Sequence, residues 1–405
     1  MTQIAFDPLD PAQREDPFPV LELARRERPV FHAPQFDLWV VTRHDDVLAV
    51  LKDHEAFSST GALKSSPEPF PPEVQEALAE GWPTMPYIIE VDPPLHDRIR
   101  GLVTKAFTPR RIAELEARAQ AIAAELIDGF ERDGRVDVIE RFAWPLPLRV
   151  LGELLGVPRE DLPRLHEWGL DWLLLQQPGP VERRVEHARG LVRMQRYFVE
   201  ALEARERQPR DDLMGALMVG RREADDPLTI PEVAGLPLDL MVAGHVTVTR
   251  AIGSALWTLF RLPEVRERLL DDEHAPAAIE ELLRLESPAQ GLFRLTTREV
   301  EVRGVTLPAG ARVMVHFGSA NRDACAFHDA AGFDPTRSDL SRHVAFGKGI
   351  HFCIGAPLAR LELRIAVPLL LRRLPGLRLA PDAVPEREDV FFARGFRRLE
   401  VEWDA

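Results

Sequence analysis

Apolar residues recur at three- and four-residue spacing, with charged faces between them, over Pro94–Phe107, Ile112–Glu131, Val181–Arg205, Pro231–Arg261, Ala277–Glu286 and Ala356–Arg373. That period places them on one side of a helix, so the pattern predicts long amphipathic helices there. Strand patterning is scarcer. It covers Leu38–Thr42, a meander over Phe293–Phe317 punctuated by Arg303-Gly304 and Pro308-Ala309-Gly310, and a short closing strand over Leu399–Trp403. No internal repeat or low-complexity tract interrupts the pattern. The expected fold class is mainly α, an α-rich single domain with a small β-rich region at one side.

Composition narrows this further. The chain has 405 residues, 45% of them apolar, enough to bury a large core, and no Ser- or Gly-rich linker divides it, so one domain over residues 1–405 is expected. A net charge of -14 argues against nucleic acid and anionic membranes as partners. The segment Met1 to Arg14 has neither a signal-peptide core nor a span-length apolar run, which leads to an expected cytoplasmic location. Cys325 and Cys353 are the chain's only cysteines; this is no disulfide framework and suits a reducing compartment. Cys325 reads as structural, on a loop.

Cys353 reads differently. It lies in Phe346-Gly347-Lys348-Gly349-Ile350-His351-Phe352-Cys353-Ile354-Gly355, a glycine-flanked loop just ahead of the Ala356–Arg373 helical pattern. Amides at Ile354 and Gly355 and the positive end of the following helix, with Pro357 in its first turn, stabilise a thiolate there. Gly349 and Gly355 leave room for a flat group to approach the backbone, and Phe346 can shield the sulfur. Heme iron held by a thiolate meets these requirements. The spacing Phe-x-x-Gly-x-His-x-Cys-x-Gly resembles the heme-binding loop of the cytochrome P450 family. The resemblance implies the cytochrome P450 fold, heme b (iron protoporphyrin IX) as cofactor, Cys353 as its axial metal ligand and His351 as a propionate partner.

Further segments follow in the order this family would place them, from Asp16-Pro17-Phe18-Pro19 to Trp403. Glu281-Leu282-Leu283-Arg284, taken alone, is an i,i+3 surface pair. Followed by Asn321-Arg322-Asp323 and Phe333-Asp334-Pro335, it resembles the family's Glu-x-x-Arg helix, whose pair meets a downstream arginine, here Arg337, in a buried network. Asp92-Pro93-Pro94-Leu95-His96-Asp97-Arg98-Ile99-Arg100 opens a helix with His96 and Arg100 on one face, which by itself reads as a cationic stripe. It resembles the family's propionate-clamping helix, and Arg294 matches a third propionate ligand.

Ala243-Gly244-His245-Val246-Thr247 resembles the family's oxygen-activation turn, in which small residues make space and a hydroxyl relays protons; the implied roles fall on Ala243, Gly244 and Thr247. Family members usually carry an acid where this chain has Val246, which can neither hold nor donate a proton. His245 is about 200° around the helix from Thr247 and should point elsewhere. Protons could then come from solvent or from a substrate hydroxyl, or peroxide could be the oxidant.

By resemblance the substrate pocket is lined by Trp82–Ile89, Trp168–Leu175, Leu238–Thr247, Ala289–Phe293 and Phe391-Phe392, mostly apolar stretches that favour a hydrophobic, neutral small molecule. No flavin or iron–sulfur pattern occurs, so electrons from NAD(P)H would arrive indirectly through a ferredoxin or flavodoxin-type donor. Arg110, Arg111, Arg342, Lys348, Arg360 and Arg364 are candidates for its docking patch. The implied activity is a monooxygenase that inserts one atom of O2 into its substrate. Val246 keeps two alternatives open: a peroxide-driven peroxygenase, and a non-catalytic heme-thiolate sensor or recruitment protein.

Overall fold

The amphipathic stretches fold as helices at nearly their expected limits in the computed structural model, which describes residues 4–63, 69–83, 85–176 and 179–404. The helix Leu95–Ala106 buries Ile99, Leu102 and Val103, and Val181–Arg207 buries the apolar side of its 27 residues. Ala356–Arg373 begins and ends where its periodicity does. The expected helix over 112–131 is two: Pro109–Glu114 and Glu116–Asp128, separated at Leu115. Helices at Leu162–Leu175 and Leu213–Arg222 were not anticipated from the pattern.

The central helix, Ile230–Arg261, spans 32 residues. It opens on a reciprocal capping box: Glu232 N–H donates to Thr229 Oγ1 at 3.3 Å, and Thr229 N–H donates to a Glu232 carboxylate oxygen at 2.6 Å.

The chain forms two compact units. One comprises Met1–Ala62, Ala119–Leu146 and Thr247–Ala405; the other comprises Leu63–Arg118 and Pro147–Val246. The first holds a five-stranded sheet ordered Val30–Ala33, Leu38–Val41, Arg312–Val315, Leu292–Thr296, Phe57–Ser58. Trp39 pairs with Val313 in parallel, and Leu292 with Val315 antiparallel. The expected meander is therefore split. Its outer strands join this sheet, while Val300–Val302 and Val305–Leu307 form a separate hairpin whose turn residues Arg303 and Gly304 both adopt positive φ, 50° and 73°. Val41, Val50, Val313, Val315 and Phe317 form the core beneath the sheet.

The helix Ala275–Glu286 carries two adjacent acids with different duties. Glu281 and Arg284 are fully buried and joined by two bonds of 2.7 Å. Glu281 Oε1 also accepts from Asp334 N–H at 2.9 Å and from Arg337 Nε at 3.0 Å. Arg284 in turn donates to the carbonyls of Asn321, Ala330 and Gly332. Every charge is met, which is the condition for a buried ion network to be tolerated. Asn321 continues it, donating to Ser287 Oγ at 2.8 Å and accepting from Val344 N–H at 2.7 Å.

Glu280, one residue earlier, is half-buried. It accepts from Arg360 Nε at 2.6 Å and lies 2.9 Å from His343 Nε2. Burial alone would raise its carboxyl, but the bonds from Arg360 and His343 outweigh that and hold it at about 2.

Among the described residues no helix is long and apolar enough to cross a membrane.

Glu281→Ala strands two buried guanidinium groups and is expected to lower the free energy of unfolding by about 3–5 kcal/mol, measured by urea titration. Glu280 is depressed in the folded state, so its contribution is complete above the unfolded value of about 4.3 and is lost as pH falls toward about 2. Stability measured across that window should fall less steeply in Glu280→Gln than in the wild type.

Candidate functional site

In the first unit the cysteine loop is shaped by two left-handed glycines, Gly347 at φ 69° and Gly349 at φ 74°. Cys353 N–H donates to the Phe346 carbonyl at 3.0 Å, closing the loop on itself. A side chain at Gly349 would put its Cβ 2.3 Å from the Leu51 carbonyl oxygen. Close backbone packing and positive φ account for this glycine. At Gly355, among the described residues, such a Cβ would meet Cys353 Sγ alone, at 3.8 Å, so the space beside the sulfur is open on that side.

Cys353 is half-buried and stands three residues before an 18-residue helix whose first turn contains Pro357. The positive end of that helix's dipole favours negative charge on the sulfur. Arg360, one turn into the helix, lies over the Phe346 ring at 4.5 Å and is fixed there by Glu280. Hydrogen bonding to Glu280 raises its guanidinium pKa first, and the charge of Cys353 adds in the same direction. Arg360 is thus part of the wall behind the thiol rather than a loose surface charge. His351, in the turn Gly349–His351, is 2.9 Å from Ser59 Oγ through Nε2. Arg294 is buried on the strand Leu292–Thr296, with Nη1 donating to the Phe293 carbonyl at 2.7 Å. Cys325 is exposed in a turn, where its N–H donates to Asp323.

Of the other docking candidates in this unit, Arg342 donates to the Ala326 carbonyl and Arg364 to the Arg360 carbonyl, and Lys348 lies 5.8 Å from the Phe352 ring. In the second unit Arg110 pairs with Glu114 and Arg111 with Asp211.

The second unit contains His96 and Arg100 on the helix Leu95–Ala106. His96 is buried with Nδ1 3.0 Å from Asp97 Oδ1, and Arg100, one turn on, is half-buried. The central helix contributes residues up to Val246 to this unit. Ala243 is exposed although it lies mid-helix, and Gly244 and Val246 are half-buried, whereas Met241, Val242 and His245 are buried. One stripe of the helix is therefore accessible, and the small Ala243 lies on it; a Cβ on Gly244 would instead meet the Leu151 side chain at 3.2 Å, so that glycine allows close packing on another side of the helix. His245 turns away from that stripe as expected, its ring edge-on to His166 at 5.3 Å. Burial holds His166 down at about 4. Thr247, half-buried, begins the first unit's share of the helix.

The loop before Ile88 is pinned by Gln195, which accepts from Trp82 N–H and donates to the Trp82 carbonyl, each at 3.0 Å. Thr84 in that loop lies outside the described residues. Among the described residues no cluster of His, Cys, Asp and Glu forms a conventional metal site. The donor chemistry in the loop instead centres on one soft sulfur.

Known proteins agree with this geometry. The cytochrome P450 family profile matches residues 168–389. The mycinamicin IV hydroxylase/epoxidase of Micromonospora griseorubida is 38% identical over 372 residues, covering 91% of this chain and 90% of that protein. The vitamin D(3) 25-hydroxylase of Pseudonocardia autotrophica is 36% identical, covering 96% and 94%. The structure of cytochrome P450 CYP109Q5 from Chondromyces apiculatus superposes with a TM-score of 0.88 at 36% identity, covering 100% of this chain and 99% of that one. Shared fold, near-complete coverage and identity well above the level of fold likeness lead to one conclusion: the chain belongs to the cytochrome P450 family and is a heme-dependent monooxygenase.

Proposed function

We propose that this protein is a cytoplasmic monooxygenase that holds heme b through Cys353 and inserts one oxygen atom of O2 into a hydrophobic small molecule, with electrons supplied by a separate ferredoxin or flavodoxin-type protein. The observation that carries the reading is the half-buried Cys353 thiol, placed at the positive end of the Ala356–Arg373 helix with Gly355 leaving open the space beside its sulfur. Bound heme supplies the oxygen-activating chemistry, and a thiolate ligand favours O–O cleavage by pushing electron density to the metal.

The chain's own residues do the rest. Arg360 and the helix amides keep Cys353 anionic, and Phe346 limits water at the sulfur. His96, Arg100, Arg294 and His351 are proposed to hold the two heme propionates, as cationic or hydrogen-bonding groups suited to carboxylates. Ala243 gives a flat group and a small gas molecule room along the central helix, Gly244 lets the helix pack closely on Leu151, and the Thr247 hydroxyl is proposed to hold a proton where oxygen is reduced. The two relatives are named for mycinamicin IV and vitamin D(3), in keeping with a small-molecule substrate.

Val246 supports a second reading. A valine where an acid would deliver protons is compatible with peroxide as oxidant, because peroxide brings its own protons.

Cys353→Ser is expected to abolish the thiolate signature of the carbon monoxide complex together with turnover, both read on the purified protein. If proton supply limits the reaction, Val246→Glu should raise product formed per electron consumed by several-fold. An unchanged ratio, with peroxide sustaining wild-type turnover, would favour the peroxygenase reading.

A further inference from the structure

Asp239 falls within the stretch Leu238–Thr247 expected to line the substrate pocket, and no role of its own has been given to it. It lies on the central helix four residues before Ala243 and seven before Val246, so the three share a stripe. This is the accessible stripe: Ala243 is exposed and Asp239 and Val246 are half-buried, while Leu238, Leu240, Met241 and Val242 are buried. The loop carrying Ile88 is seated on the same part of the helix. A Cβ on Gly235 would fall 2.1 Å from the Pro86 carbonyl oxygen, and Ile88 N–H donates to Asp239 Oδ2 at 2.6 Å. Tyr87, next in the chain, packs edge-on against Trp172 at 5.9 Å, and its hydroxyl accepts from Gln195 Nε2 at 3.4 Å.

Among the described residues Oδ1 of Asp239 makes no hydrogen bond, and no Arg, Lys or His pairs with the carboxylate. Burial raises the carboxyl well above the usual carboxylate range, with the Glu90 charge adding to this against the Ile88 bond, and burial likewise pushes the Tyr87 phenol up. Both side chains nonetheless keep accessible surface. A desolvated acid retains its proton and can both donate and accept. It therefore complements a neutral oxygen substituent better than an ammonium, which would require it to ionise.

We propose that Asp239, with Tyr87 near it, anchors a hydroxyl or ketone oxygen on an otherwise apolar substrate, about 10 Å along the central helix from Val246, seven residues at 1.5 Å each. Oxidation then falls about that distance from the anchored oxygen. The inference rests on the proposed monooxygenase function and names its substrate class: an apolar skeleton that already carries one oxygen, supplied by an earlier hydroxylation or ketone-forming step. A site built to bond that oxygen discriminates against the analogue lacking it.

The test titrates heme-loaded protein with testosterone, androst-4-en-3-one, 5α-androstane and dodecyltrimethylammonium, reading the Soret spin-state shift and, independently of heme, tryptophan fluorescence quenching. Wild type should prefer an oxygenated steroid to 5α-androstane. Asp239→Leu should weaken that steroid about tenfold and leave 5α-androstane equal or tighter, while Asp239→Asn, which keeps hydrogen-bonding atoms, should recover most of the preference. Unchanged ranking in Asp239→Leu, no preference or no binding in the wild type, or dependence on Asp239 for the ammonium probe alone would each overturn the anchor. Failure of the monooxygenase reading is distinguishable, because it appears as loss of the thiolate–carbon monoxide spectrum before any ligand is added.

Discussion

The carboxylate of Glu281 is the point on which the first unit's site depends. It lies at zero exposure, yet it is met by both arms of Arg284, by Arg337 and by the Asp334 amide. Such a group is tolerated inside a protein only when each partner is present, so the arrangement is all or none. Through Arg284 it grips the Asn321, Ala330 and Gly332 carbonyls, and through Asn321 it reaches Val344, two residues before Phe346. The cysteine loop is thus supported from behind by a structure that cannot drift by small steps. Glu280 adds the second support, holding Arg360 across the Phe346 ring. A charge-bearing helix turn therefore serves both stability and the electrostatics at Cys353.

The second unit solves a different problem, keeping one stripe of a long apolar helix accessible. Ala243 is small, and Gln195 and Gly235 fix the loop that carries Tyr87 and Ile88. On this stripe the acid is at position 239 rather than at 246. Val246 puts no proton donor on the proposed oxygen-activation turn, and Asp239 puts a polar group on an otherwise apolar stretch of the helix.

How much of this is legible in the sequence follows from the range of each interaction. Local periodicity places Leu95–Ala106, Ile230–Arg261 and Ala356–Arg373 within a few residues, because burial of one face decides them. It does not see the break at Leu115, where apolar spacing continues through a change of helix. Motif order identifies the Glu281–Arg284–Arg337 network correctly, since its residues occur at characteristic separations. Arg360 reads as a surface charge because its partner, Glu280, lies 80 residues away in the chain. The packing of Gly349 against the Leu51 carbonyl is invisible to a local reading. Asp239 looks like a single polar interruption of an apolar run. Only the Ile88 amide and the accessible stripe give it meaning. A Thr-x-x-Glu pattern at Thr229–Glu232 was the available signal for where the central helix starts.

The account's central claim is that Cys353 is the metal-binding sulfur, and the most direct measurement is resonance Raman spectroscopy of the ferric holoprotein in a Cys325→Ser background, with and without 34S-labelled cysteine. Cys353 is then the only cysteine in the chain. An iron–sulfur stretching band that moves on isotopic substitution is the predicted result. Absence of any isotope-sensitive band in heme-loaded protein would contradict the claim, and with it the role assigned to the loop, its glycine and the arginine behind it.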